Sequence, residues 1–221
     1  MLDLCFRVSQ RSISAYAGEL RPLLPASVFA PAHSRLLWLP VQLAIITTLV
    51  SAIAFDWVAW PWQLLLSPVI GASFAGLTFL AHETLHGAIV RGKRLRRLVG
   101  FIGFLPFMVS PRLWIAWHNR VHHGHTNQPG VDPDAYPTLE EYANSRTVRI
   151  VTDYGAPGGG RLRGALALMV GFTIQSKHML VDARRTGMLT PKEYGWALAE
   201  TALGLSVWVT LAALIGPGAF L

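Results

Sequence analysis

Trp117-His118-Asn119-Arg120-Val121-His122-His123-Gly124-His125 holds four of the eight histidines of this 221-residue chain. On an α-helix, residues four apart lie on one face, so His118 and His122 point the same way. His123 follows about 100° round the axis and is placed to serve a second centre. Neutral imidazole is a common ligand for iron, copper, zinc and nickel. The alternative is a polar, histidine-bearing loop at an interface. A second pair, His82 and His86, lies at the end of an apolar run upstream and favours the metal reading.

The chain is 52% hydrophobic and 14% charged, with mean hydropathy +0.39. A soluble domain has about 25% charged residues. These values indicate an all-α integral membrane protein, read as one domain over residues 1–221. The formal charge of +7 comes from arginine clusters beside apolar runs. That pattern suits anionic lipid and topology signals, and it argues against nucleic acid as a partner. Sixteen Arg against three Lys, with much Ala and Gly, points to a GC-rich bacterial genome and hence a bacterial inner membrane. Cys5 is the only cysteine, which excludes an intrachain disulfide. The N-terminus has no cleavable signal pattern.

Residues 1–35 carry Arg7, Arg11, Arg21 and Arg35 with three prolines, so no long helix is expected there. His33 reads as a surface residue. Residues 36–55 are uncharged and long enough to cross the hydrocarbon. Residues 56–62, with three Trp, read as a turn at the non-cytoplasmic interface. Residues 63–81 cross back and deliver His82-Glu83-Thr84-Leu85-His86 to the cytoplasmic side, ahead of the basic run 91–97. Residues 98–117 are apolar again. If they crossed, the two histidine groups would face opposite sides of the membrane. Pro106, Pro111 and Arg112 interrupt them, so an in-plane or re-entrant helix is expected. Residues 127–141 read as a cytosolic loop and 155–160 as a flexible glycine joint. Residues 164–181, flanked by arginines at both ends, read as a surface helix. It carries His178, either a structural histidine or a ligand or outer-shell group. Residues 194–215 form a third span with Glu200 in its first half, stopped by Gly216-Pro217-Gly218.

Two chemistries fit these histidines. His82-Glu83-Thr84-Leu85-His86 matches the H-E-x-x-H pattern of zinc peptidases, in which the Glu activates water. That reading leaves His118, His122 and His123 unused. Taken together, His82, His86, His118, His122 and His123 exceed the three protein ligands of one catalytic zinc and suggest two metals. Iron is the natural choice for oxidising an unactivated C–H bond with O₂.

The two histidine groups, with Thr126-Asn127 and Asp132-Pro133-Asp134 downstream, resemble the membrane fatty acid desaturase/hydroxylase superfamily over residues 36–221. The resemblance implies two iron ions held by His82, His86, His118, His122 and His123, with O₂ as co-substrate. It implies two electrons from a carrier such as ferredoxin or cytochrome b5. The substrate would be a fatty acyl lipid, acyl-CoA or acyl carrier protein, and the reaction a desaturation, with alkyl, carotenoid or sphingoid hydroxylation as the alternative. Glu83, Asp132 and Asp134 would hydrogen-bond ring N–H groups behind the metal, unless they are solvated surface acids. His125 lies outside the family pattern and is a candidate substitute ligand. The family's third histidine box is missing, since no histidine follows His178. Three crossings would also leave Leu221 on the far side. The chain is therefore expected to be C-terminally truncated, to lack the fourth span, and to hold its metal pair poorly on its own.

Overall fold

Helices, with one longer loop over residues 123–138, make up residues 13–155 and 161–216, the part of the chain described by the computed structural model. In order they are α1 (Ile13–Leu20), α2 (Trp38–Ala54), α3 (Trp60–His86), α4 (Lys93–Phe104), α5 (Pro111–Trp114), α6 (Leu139–Asn144), α7 (Arg146–Gly155), α8 (Arg161–Arg185) and α9 (Pro191–Ile215). Three-residue-per-turn segments lead into α2 and follow α4. A π-helical segment, Ile115–His122, continues α5. No strand occurs among the described residues.

Three helical stretches are long and apolar enough to cross a membrane: Ala26–Ala54, Trp60–His86 and Pro191–Ile215. Their apolar windows are mostly unburied within the chain, so lipid is the medium that covers them. The chain is a membrane protein. Trp57, Trp60 and Trp62 stand exposed around the α2–α3 turn, where indole rings suit the membrane–water boundary.

The second apolar run is longer than its sequence suggests. α3 continues unbroken through residues 82–86 and stops at Gly87, whose φ of 85° only glycine adopts readily. α4 packs closely along α3 because Gly100 and Gly103 carry no side chain there. A Cβ at Gly103 would run into the Leu77 carbonyl and come within 2.7 Å of the Ala81 Cβ.

The third apolar run does not continue as one rod. Lys93–Phe107 and Pro111–His122 meet at 101°. The break falls at Met108, which is left-handed at φ 54°, between Pro106 and Pro111. Ser110 restarts the helix by accepting a hydrogen bond from Leu113 N at 3.3 Å. The main core then gathers Ala81 and Leu85 of α3, Phe104 of α4, Leu113, Trp114 and Trp117, Met179 and Ala183 of α8, and Ala197 of α9.

Two capping boxes set boundaries that the sequence places elsewhere. Thr138 and Glu141 cap each other's backbone and start α6 inside the expected 127–141 loop. Thr190 and Glu193 do the same for α9, which begins at Pro191 rather than at residue 194. Residues 156–160 of the glycine joint and 217–218 of the final stop lie outside the described residues, as do residues 1–12.

Candidate metal centre

The end of α3 supplies the first two imidazoles. Ala81 and Leu85, fully buried, fix this turn against the core. His82 and His86, one turn apart, then project together with ring centroids 4.6 Å apart.

The π-helical segment supplies His118 and His122, and the residue that caps it is His123. His123 N donates to His118 O at 3.0 Å, an i→i+5 bond that widens the turn. In α-helical geometry His123 points away from His118. In the wider turn it comes round to meet it, with ring centroids 4.8 Å apart, while His122 lies 4.9 Å from His118. The two elements face each other. His118 is 5.1 Å from His82 and 5.3 Å from His86, and His86 is 4.9 Å from His123. Two groups able to hold a metal result, His82–His86–His118 and His118–His122–His123, each with ligand nitrogens within 4.8 Å of one another. One imidazole nitrogen binds one ion, so with His118 common to both the five rings divide three and two.

Two acids stand behind these rings. His118 Nδ1 lies 2.8 Å from Asp134 Oδ2, and His122 Nδ1 lies 2.8 Å from Asp132 Oδ1. An ionised carboxylate only accepts, so Nδ1 carries the proton in both rings and Nε2 keeps its lone pair for a metal. Asp132 is buried and accepts backbone N–H bonds from Asn127 and Asp134 at 2.8 and 2.9 Å. Burial alone would raise its pKa. The bonds from His122 and the two amides outweigh that, and the carboxyl is held below its ordinary range. Asp134 accepts from Gln175 Nε2, which also donates to Pro133 O at 3.0 Å. Trp114 lies flat against His118 at 4.4 Å. The pKa of His123 is lowered, first by desolvation among these groups and then by His118 and His122, which favours the neutral, ligating form.

Other candidate residues lie elsewhere. Glu83 pairs with Arg35. His125 is exposed and faces Gln128 at 3.1 Å. His178 is 67% exposed, pairs with Asp182 at 3.1 Å, and joins neither group.

Several supporting residues escape sequence reasoning. Arg96 and Asn119 both donate to the Leu85 carbonyl, at 3.1 and 3.3 Å, linking α4 and the π-helical segment to the last turn of α3. α9 presents Trp196, Glu200, Gly204 and Trp208 at four-residue spacing to the break before the second histidine group. Trp208 donates to Leu105 O at 3.0 Å, and Gly204 lets Met108 approach closely. Glu200 accepts from Ser110 at 2.6 Å and from Arg112 at 2.8 Å, and the Arg112 guanidinium also lies over Trp196. Lys177 of α8 donates to Phe107 O and Met108 O at 3.3 and 2.9 Å. Lys177 and Trp208 thus supply side-chain donors to carbonyls at the break. The four-residue spacing on α9, and the polar Gln175 and Lys177 closing an apolar run, are the signals that could have found them.

A helical membrane protein with a histidine-lined site suited to metal is the class these features define. The chain belongs to the fatty acid desaturase family, whose model matches residues 55–221 and so includes both histidine groups and both acids behind them. No curated protein and no solved structure matches the chain. Membership makes it a lipid oxidoreductase of the desaturase/hydroxylase superfamily.

Proposed function

We propose that this chain removes two hydrogens from neighbouring carbons of a fatty acyl chain, with O₂ and two electrons from an external carrier, giving a double bond and water. The observation that carries this reading is the convergence of His82, His86, His118, His122 and His123, with Asp134 and Asp132 behind two of them. The donor set fits iron: five imidazoles, two with Nδ1 held against a carboxylate, their nitrogens close enough to divide between two ions. His82, His86, His118, His122 and His123 would hold the pair. The chemistry supplied by bound iron is activation of O₂ for abstraction of hydrogen from an unactivated C–H bond.

The chain's own groups do the rest. Asp132 and Asp134 orient His122 and His118 by accepting from their Nδ1–H groups. Trp114 fixes the His118 ring plane. The apolar helices α2, α3 and α9 keep an acyl chain in reach of the site without taking it into water. The arginines near α4 support a cytoplasmic position for the site in a bacterial inner membrane, and ferredoxin or cytochrome b5 as carrier. Hydroxylation would draw on the same residues and differ in leaving an oxygen atom on the substrate.

The Glu83–Arg35 pair weighs against a zinc peptidase, whose Glu must be free to activate water. The test supplies the reconstituted protein with iron, reductant, carrier and a phospholipid, then identifies products by mass spectrometry. An acyl product lighter by two hydrogens, abolished by His122→Ala, is expected. A hydroxylated product, or peptide cleavage that survives His122→Ala, would overturn it.

A further inference from the structure

Lys93, Arg96 and Arg97 occur at i, i+3 and i+4 of α4 and so share one face. Together with Ile115 they line a cavity of about 140 Å³. No acid lines it, and among the described residues neither Lys93 nor Arg97 pairs with a carboxylate. Arg96 spends Nη2 on the Leu85 carbonyl, while its buried Nε has no partner. The first turn of α4 adds to the positive field, since Gly92 offers no side-chain cap to its N–H groups.

We propose that this cavity binds the phosphate of an anionic phospholipid headgroup. Guanidinium forks match phosphate oxygens in pairs, and Lys93 adds a point charge. The same helix identifies the source of the phosphate. Leu95 and Leu98 stand 41% and 56% exposed beside the basic residues, while Val99, Gly103 and Phe104 face the core. Basic groups beside exposed leucines on an amphipathic helix suit the headgroup–acyl boundary rather than open water. Arg96 joins the cavity to the Leu85 carbonyl, one residue before His86, so a bound headgroup would brace the first histidine pair. The site stands apart from the oxidation chemistry and is tested without it.

Native mass spectrometry of the full chain in detergent counts bound lipid. Phosphatidylglycerol is expected to bind at least tenfold more tightly than phosphatidylcholine. Lys93→Gln with Arg97→Gln should remove that preference. Arg94→Gln with Arg184→Gln, which deletes the same charge outside the cavity, should keep it. If the first double variant does not fold, Arg97→Gln alone should lower the preference about threefold. Equal loss in both double variants would show general surface charge and overturn the proposal. So would an unchanged preference in Lys93→Gln/Arg97→Gln, or displacement of the lipid by inorganic phosphate at equal concentration.

Discussion

A carboxylate behind a ligating imidazole fixes the tautomer and raises the basicity of the nitrogen facing the metal. Asp134 does this for His118, the ring common to both groups, and is itself held by Gln175. Replacing Asp134 with Asn should therefore weaken metal binding by roughly ten- to a hundredfold, read by competition with a coloured chelator. Gln175→Leu should shift affinity in the same direction by less, because Asp134 keeps its bond to His118. His178→Ala should leave affinity unchanged, since that ring points outward to Asp182. The acids were legible in the sequence as Asp132-Pro133-Asp134 beside the second histidine group. Gln175 was not, because forty-one residues separate it from Asp134 and only the packing of α8 brings them together. His178 and His122 look alike in a sequence. What separates them is the face each occupies, which a lone residue does not reveal.

The helix that carries the second group is where sequence geometry departs most from the molecule. His118, His122 and His123 have the same spacing on an α-helix and in a π-helical turn, yet only the wider turn brings all three together. What selects that turn is tertiary: Trp114 and Trp117 are buried on one side and His118 and His122 are tied to Asp134 and Asp132 on the other. The break before it was legible from Pro106 and Pro111. Its cradle was not, because Glu200 reads simply as a charge in an apolar helix. Glu200→Ala would leave Arg112 and Ser110 without their acceptor, at a cost of about 3 kcal/mol. A lowered unfolding temperature and weaker metal binding should appear together, with Glu200→Gln between that variant and wild type. Between α3 and α4, Gly103→Ala should destabilise more than Gly100→Ala. The added methyl at 103 meets the Leu77 backbone, whereas at 100 it meets the movable Leu85 side chain. Thermal unfolding in detergent compares the two.

Across the molecule, the three apolar helices were legible to within a few residues, because lipid-facing surface needs only sustained hydropathy. Their ends were set by capping and by Gly87, and so α3 gains the turn that bears His82 and His86. The site itself draws on α3, the π-helical segment, the loop with Asp132 and Asp134, and α8. Its five histidines were readable as two motifs, and their arrangement was not. His118 lies between the two candidate groups and can complete one of them, so its loss leaves two rings for each position. The most direct measurement is iron content after saturation with Fe(II) without oxygen, for the wild-type chain and for His118→Ala. Up to two weakly held irons per wild-type chain at saturation, and fewer in the variant, are predicted. One ion per chain, held equally by both proteins, would contradict a two-metal centre that uses His118.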